Sequence, residues 1–333
     1  MVTTPSPLVS LCVPTYGRAA FLGTTLESAF AQTVPDFEVI VVNDCSPDET
    51  ARVVAQFNDS RLRYVENERN LGVPENLNRA MGLARGEFMV LLEDHDILEP
   101  TYLEETLAVM SRHPSVGVVA TGLVTIDQDG IPQEDYLGAF PEFVPGRQLV
   151  RRLLTRHDCP FSVTTLVRRA ASHGLEPLFD SRYGWYADQY LWLRLLNQSD
   201  FGYVPRKLLR FRLRESDHYL IDREWDSLFR LDRLHRDNWS LLHANRGLRS
   251  MSDRLLFEKA KLREIIYLKM RRRSEGQPWT AADVEALTRY LPSPSRHLTR
   301  ATDLLPSSLL RWLRRMSRRR YRHRRAGAVL NSA

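Results

Sequence analysis

Cysteine is scarce: the 333 residues contain three, Cys12, Cys45 and Cys159. They are odd in number, far apart and at no metal-ligand spacing. A disulfide framework and a zinc ribbon are excluded, and free thiols in a reducing compartment are expected. Long apolar runs are missing too. The longest are strand-like segments such as Glu38–Val42 and Phe88–Leu92, far short of the roughly 18 residues of a membrane span. Met1 to Pro7 have neither a basic start nor an apolar signal core. The expected location is the cytoplasm, either in solution or resting at the inner face of the cell membrane. No glycine-rich phosphate loop follows the first apolar segment, which removes the P-loop and dinucleotide fingerprints.

The composition that remains is that of an ordinary globular chain, with 43% hydrophobic and 26% charged residues. A chain of this length buries roughly three quarters of its unfolded surface and needs no staples. The net charge of +6 conceals an asymmetry, because residues 296–325 hold eleven Arg and one acid, Asp303. The body is therefore mildly acidic and the basicity belongs to the tail.

The first half alternates strand and helix signals. Leu8–Val13, Phe37–Val42, Leu62–Val65, Phe88–Leu92 and Val116–Thr125 read as strands. Ala19–Gln32, Pro74–Ala84 and Pro100–Ser111 read as helices. Ser46-Pro47-Asp48-Glu49 reads as a helix start, with Ser46 as cap and Glu49 completing a capping box. Near-continuous apolar strands separated by helices imply a mostly parallel sheet covered on both faces, an α/β fold. Ligands of such sheets sit outside the carboxyl ends of the strands. That directs attention to Pro14–Arg18, Asn43–Ser46, Asn67–Gly72 and Asp94–Asp96. The middle, Gly146 to Leu213, is less regular: a helical stretch near Leu149–Leu154, a β-rich Phe161–Val167 and a helix around Ala187–Leu196. Beyond it Tyr219–Leu242, Asp253–Met270 and Ala281–Tyr290 read as helices.

Each strand end offers chemistry beside a plainer role. Asp94 and Asp96 flank His95. Carboxylates suit Mg²⁺ or Mn²⁺, but an acidic turn before Pro100 needs no metal. His95 between them reads as a bystander. Asp44 is placed to accept hydrogen bonds from a base or ribose, or to cap a turn locally. After Pro14-Thr15, Tyr16 is suited to stacking on a base and Arg18 to meeting phosphate. Pro14 and Gly17 also suit a simple turn. Asp188 precedes Leu191, Trp192, Leu193 and Leu195, either as a general base or as a first-turn acid facing the helix dipole. In the tail, Leu309, Leu310, Leu313 and Met316 share helical spacing beside Trp312, among six Arg from Arg311 to Arg320. An anionic membrane surface is the expected partner of Ser307–Arg325. Nucleic acid does not require the apolar face, and a solubilising tail is the plain alternative.

Together these motifs resemble the family 2 glycosyltransferases of GT-A fold. Leu8–Arg18 resembles the family's opening strand and its Pro-Thr-Tyr-Asn-Arg loop. Gln32-Thr33 and Phe37–Thr50 resemble its Gln-Thr and Val-Asp-Asp-Gly-Ser segments. Asn70, Gly72, Asn76 and Gly86-Glu87 fit the next segment, and Leu92–Asp96 fits Leu-Asp-x-Asp. Ala187–Arg194 resembles the Glu-Asp-x-x-Leu-x-x-Arg helix. The resemblance covers roughly residues 8–215.

It implies a GT-A domain over 1–215, with a helical acceptor-side extension over 216–291 and a basic tail over 292–333. Pro14, Thr15, Tyr16, Arg18, Asp44 and Asn76 would bind a nucleotide-sugar donor with a UDP carrier. Asp94 would face the ribose or sugar, Arg212 would close the site, and Asp96 would coordinate a divalent metal, Mn²⁺ or Mg²⁺. Asp188 would be the base of an inverting transfer to an acceptor hydroxyl, lipid-linked if the tail docks on a membrane, in cell-surface polysaccharide or glycolipid assembly. The chain departs from the family pattern at Asn43, Cys45, Gly17 and Ala187. A sugar-phosphate nucleotidyltransferase would carry a glycine-rich loop that is missing here. A non-catalytic nucleotide-sugar binder would not need Asp188.

Overall fold

The computed structural model describes residues 6–156 and 162–213, together with Arg233, Leu234, Asp237 and Thr280. The elements run β1 (Val9–Thr15), α1 (Ala19–Phe30), β2 (Phe37–Asn43), α2 (Thr50–Val54), β3 (Leu62–Glu66), α3 (Val73–Gly82), β4 (Phe88–Leu91) and β5 (Ile97–Leu98). They continue with α4 (Tyr102–Arg112), β6 (Val116–Ile126), β7 (Pro132–Tyr136), β8 (Phe143–Val144), α5 (Gly146–Arg156), β9 (Leu166–Arg168), α6 (Ala187–Gln198) and β10 (Asp200–Arg212).

One sheet carries the fold, in the order β3-β2-β1-β4-β9-β6-β10-β5, with β7 on β6 and β8 on β10. The half built from β3, β2, β1 and β4 is parallel throughout. β1, β2 and β4 are buried and mostly apolar because they alternate between two cores, whereas β3 at the sheet edge is half exposed. Ile40 and Val42 enter one core and Val39 and Val41 the other; Cys12 parts from Leu11 and Val13, and Met89 and Leu91 from Val90, in the same way.

The second half is mixed. β9 lies antiparallel between β4 and β6, whereas β10 runs parallel to β6. The α/β expectation of a mostly parallel sheet holds. β10, broken in sequence by Arg206, Lys207 and Arg210, was not among the expected strands, and β5, β7 and β8 are further additions. They are two to five residues long, too short for periodicity to register.

The expected cap at Ser46 is not formed. α2 starts at Thr50 with no side-chain cap, and Ser46 Oγ instead accepts from Gly17 N at 3.0 Å. A tie to the neighbouring strand-end loop has replaced local capping. Cys12 is buried and Cys45 exposed, both as free thiols. Among the described residues no helix is long and apolar enough to cross a membrane. The helices expected after Tyr219, the tail and Cys159 lie outside the described residues, apart from the four positions named above. Two of those pack on the body: Leu234 is fully buried in the core that holds α5 and α6, and Asp237 accepts a hydrogen bond from Tyr183 at 2.9 Å.

Candidate active site at the carboxyl edge of the sheet

Parallel register sets the ends of adjacent strands side by side. Thr15 pairs with Asn43, and Asn43 with Glu66. The ladder runs on past the strands: Asp44 N donates to Thr15 O, Asn67 N to Asn43 O, and Leu92 N to Cys12 O, each within 2.9 Å. The residues singled out after each strand therefore share one edge.

On one side of that edge Asp44 organises a loop. Its Oδ1 accepts from Asn67 Nδ2 at 2.6 Å and Leu71 N at 2.8 Å, and its Oδ2 accepts from Gly72 N at 3.0 Å. Gly72 has φ 88°, a conformation open to glycine at little cost. Asn76 is turned inward. It accepts from Asn67 Nδ2 at 3.0 Å and donates to Val42 O at 3.1 Å, which pins α3 to the end of β2. Asp44 and Asn76 thus hold the 67–72 loop, a task their residue types do not announce in sequence.

Thr15 is buried and its hydroxyl finds no partner within the protein. Such a group needs an explanation. Pro14 is half-buried beside it, while Tyr16 is 47% exposed and free to stack. Arg18 sits at the start of α1, and its Nη1 donates a long 3.5 Å bond to Gly17 O. Asp48 ties the two loops together by accepting from Ala19 N at 2.9 Å.

On the other side lies the turn after β4. Carboxylate and imidazole atoms of Glu93, His95 and Asp96 all lie within 4.8 Å of one another. Asp94 is outside this group and is 2.9 Å from His95 Nδ1. The structure therefore brings His95, read from sequence as a bystander, into the cluster with Asp96, and adds Glu93, which sequence reasoning missed. The signal was present as three acids and an imidazole in one turn, but spacing alone does not reveal which way each side chain faces.

The turn is clamped on three sides. Asp96 O accepts from Thr25 Oγ1 at 2.8 Å; its Oδ1 accepts from Arg212 N at 3.0 Å and its Oδ2 from Thr164 Oγ1 at 3.3 Å. Arg212 is only 4% exposed. Its Nε donates to His95 O at 2.9 Å, its Nη1 donates to Asp127 O and Gln128 O, and its guanidinium lies 5.0 Å from the Phe21 ring. Arg212 therefore reaches the site by bracketing its backbone rather than by opening towards a cleft.

Burial governs the charges here. Asp96 is fully buried, and that burial, with the charge of Glu93 beside it, pushes its carboxyl up to about 7 despite the His95 imidazole and the bonds from Arg212 and Thr164. Burial also opposes charge on His95. The hydrogen bond to Asp94 and the charges of Glu93, Asp96 and Asp94 outweigh it and raise the imidazole to about 9. Carboxylates crowded at such a position suit a cation.

Asp188 stands apart on the first turn of α6, half-buried, with Oδ1 accepting from Gln189 N at 2.7 Å. α6 follows a 3-10 turn over Ser181–Tyr186 that packs against α3.

Comparison with known proteins matches this architecture. Residues 10–174 fit the model of "Glycosyl transferase family 2". A putative glycosyltransferase of Bacillus subtilis, EpsE, is 27% identical over 214 residues, spanning 63% of this chain and 73% of its own. The crystal structure of S. aureus TarS 1–349 in complex with UDP-GlcNAc superposes with a TM-score of 0.65 at 20% identity, over 93% of this chain and 91% of that one. The mannosyltransferase PcManGT of Pyrobaculum calidifontis, in complex with GDP-Man and Mn²⁺, reaches a TM-score of 0.50 at 19% identity, over 90% and 85%. A GT-A-like sheet and a family match that spans both halves of the strand edge lead to one conclusion: the chain belongs to glycosyl transferase family 2 and is a glycosyl-transferring enzyme.

Proposed function

We propose that this enzyme moves a sugar from a nucleoside-diphosphate sugar, with UDP as the carrier, to an acceptor hydroxyl with inversion at the anomeric carbon. The observation that carries the reading is the clamped Glu93–His95–Asp96 cluster at the carboxyl edge of the sheet. TarS with UDP-GlcNAc and PcManGT with GDP-Man and Mn²⁺ support a nucleotide-sugar donor on this fold.

The cluster fits a divalent ion. Asp96 is fully buried beside a second acid, and its charge is disfavoured as long as no further cation stands there. Asp96, with Glu93 beside it, would hold the metal. When bound it would stabilise charge on the departing diphosphate as a Lewis acid. Thr25, Thr164 and Arg212 keep the turn in place, which favours preorganisation over rearrangement. Tyr16 stacks on the base, Thr15 supplies a hydroxyl to its polar edge, and Arg18 meets phosphate. Asp44 and Asn76 shape the loop that borders the base.

Asp188 accepts the proton of the acceptor hydroxyl. The acceptor oxygen bonds to the anomeric carbon as the carbon–phosphate oxygen bond breaks, and the nucleoside diphosphate leaves with the electron pair. The acceptor in this reading is a cell-surface glycan or glycolipid, lipid-linked, approached with Ser307–Arg325 against an anionic membrane; tail composition alone supports that part.

General-base assistance is worth about 10²–10⁴ in rate. Asp188→Asn is accordingly expected to lower kcat by that factor and leave donor affinity close to that of the parent. Single-turnover transfer and calorimetric donor binding read the two quantities separately. Unchanged turnover would remove Asp188 from the chemistry.

A further inference from the structure

The turn after β4 differs from an all-carboxylate metal site by one buried imidazole. His95 is 3% exposed and its Nδ1 lies 2.9 Å from Asp94 Oδ1. An ionised carboxylate only accepts, so Nδ1 carries the hydrogen. In the neutral ring the lone pair is then on Nε2. That atom faces Asp96 Oδ1 at 4.0 Å, beyond hydrogen-bond reach, and the residue is grouped with Glu93 and Asp96. Two donor atoms each about 2.1 Å from a shared ion stand roughly 3–4 Å apart. The gap therefore suits two ligands around an ion better than a directly bonded pair.

We propose that His95 Nε2 is a ligand of the divalent ion and that Asp94 is its orienting partner, so that the site takes Mn²⁺ in preference to Mg²⁺. The inference rests on the reading above that this turn holds a divalent metal. A ligating imidazole ordinarily donates its other nitrogen to a carboxylate, which fixes the tautomer and raises ligand basicity. The Asp94–His95 pair has that arrangement, and it gives Asp94 a role other than the ribose contact expected from sequence. Mg²⁺ prefers an all-oxygen octahedron and dehydrates reluctantly. Imidazole suits transition ions, so a nitrogen in the ligand set works against Mg²⁺.

The test is pulsed EPR on the full chain loaded with Mn²⁺ and either UDP or GDP, with histidine at natural abundance and again labelled with ¹⁵N. One imidazole nitrogen coupling to Mn²⁺ is expected, changing with the label and disappearing in His95→Asp, which still binds Mn²⁺. The labelled parent protein shows without any variant whether a histidine ligates, and His95→Asp assigns the coupling among the nine. Asp94→Asn is expected to weaken Mn²⁺ binding about 10–100-fold while the coupling persists. In competition titrations His95→Asp is expected to move the Mn²⁺/Mg²⁺ affinity ratio towards Mg²⁺ by about tenfold, the lower end of that range. Mn²⁺ bound with no histidine coupling would overturn the role of His95 and leave the metal reading standing. A coupling that survives in His95→Asp would overturn it equally. Absence of Mn²⁺ binding with both nucleotides would overturn the metal reading and this inference together.

Discussion

Arg212 and Asp44 act on the site through what they hold. The Arg212 guanidinium bonds three carbonyls, those of His95, Asp127 and Gln128. A lysine ammonium is a point donor and does not reproduce that fork. Arg212→Lys is therefore expected to lose about 1–3 kcal/mol, close to the loss in Arg212→Ala, as read from denaturant midpoints. Full rescue by lysine would mean that charge alone matters there. Asp44→Ala leaves Asn67 Nδ2, Leu71 N and Gly72 N without their acceptor. A cost of about 1–3 kcal/mol is expected on the same scale, together with faster amide hydrogen exchange over residues 67–72. Exchange that stays at the parent rate would remove Asp44 as the anchor of that loop. These roles were not legible in the sequence. Asp and Asn types identify polar strand ends, but only the fold shows that their bonds are closed among themselves. The placement of His95 beside Asp96 was hidden for the same reason, because its neighbours in the chain do not reveal which nitrogen faces Asp96.

Among the elements, β1, β2 and β4 were legible almost to their ends, because strands buried on both faces leave a near-continuous apolar run. β10 was less so. Arg206, Lys207 and Arg210 interrupt it, and its register with β6 shifts three times. The opposite edge of the sheet carries its own polar tie. Glu38 on β2 accepts from Ser10 Oγ on β1 at 2.7 Å, from Arg63 Nη1 on β3 at 2.7 Å and from Arg85 N at 3.0 Å. Burial would raise this carboxyl; the bonds from Arg63, Ser10 and Arg85 prevail and hold it below its ordinary range. A depressed carboxylate contributes stability that is present above its unfolded value and lost as pH falls through the folded one. Glu38→Gln is expected to cost about 1.5–3 kcal/mol at neutral pH, with the difference from the parent closing in acid below the ordinary glutamate range near pH 4.3. Urea titrations at pH 7 and in acid measure it; a difference independent of pH would place the effect in shape and not charge.

At the level of the molecule, one sheet separates two cores and gathers the chemistry along one edge. The alternation of strands and helices predicted that plan, and with it where to search for the site. Phe161–Val167 read as β-rich, but the antiparallel insertion of β9 between β4 and β6 was not predicted, since three residues carry too little pattern to set a strand's direction. The account as a whole depends on a divalent ion linking the protein to a nucleotide-sugar. Ligand binding to the folded state raises the melting temperature by mass action. The direct measurement is a thermal-shift series with UDP-sugars and GDP-sugars, each run with Mn²⁺ and with EDTA. The account predicts a rise in Tm with at least one UDP-sugar that EDTA abolishes. A series in which no nucleotide-sugar raises Tm, or in which EDTA leaves the rise intact, would contradict it.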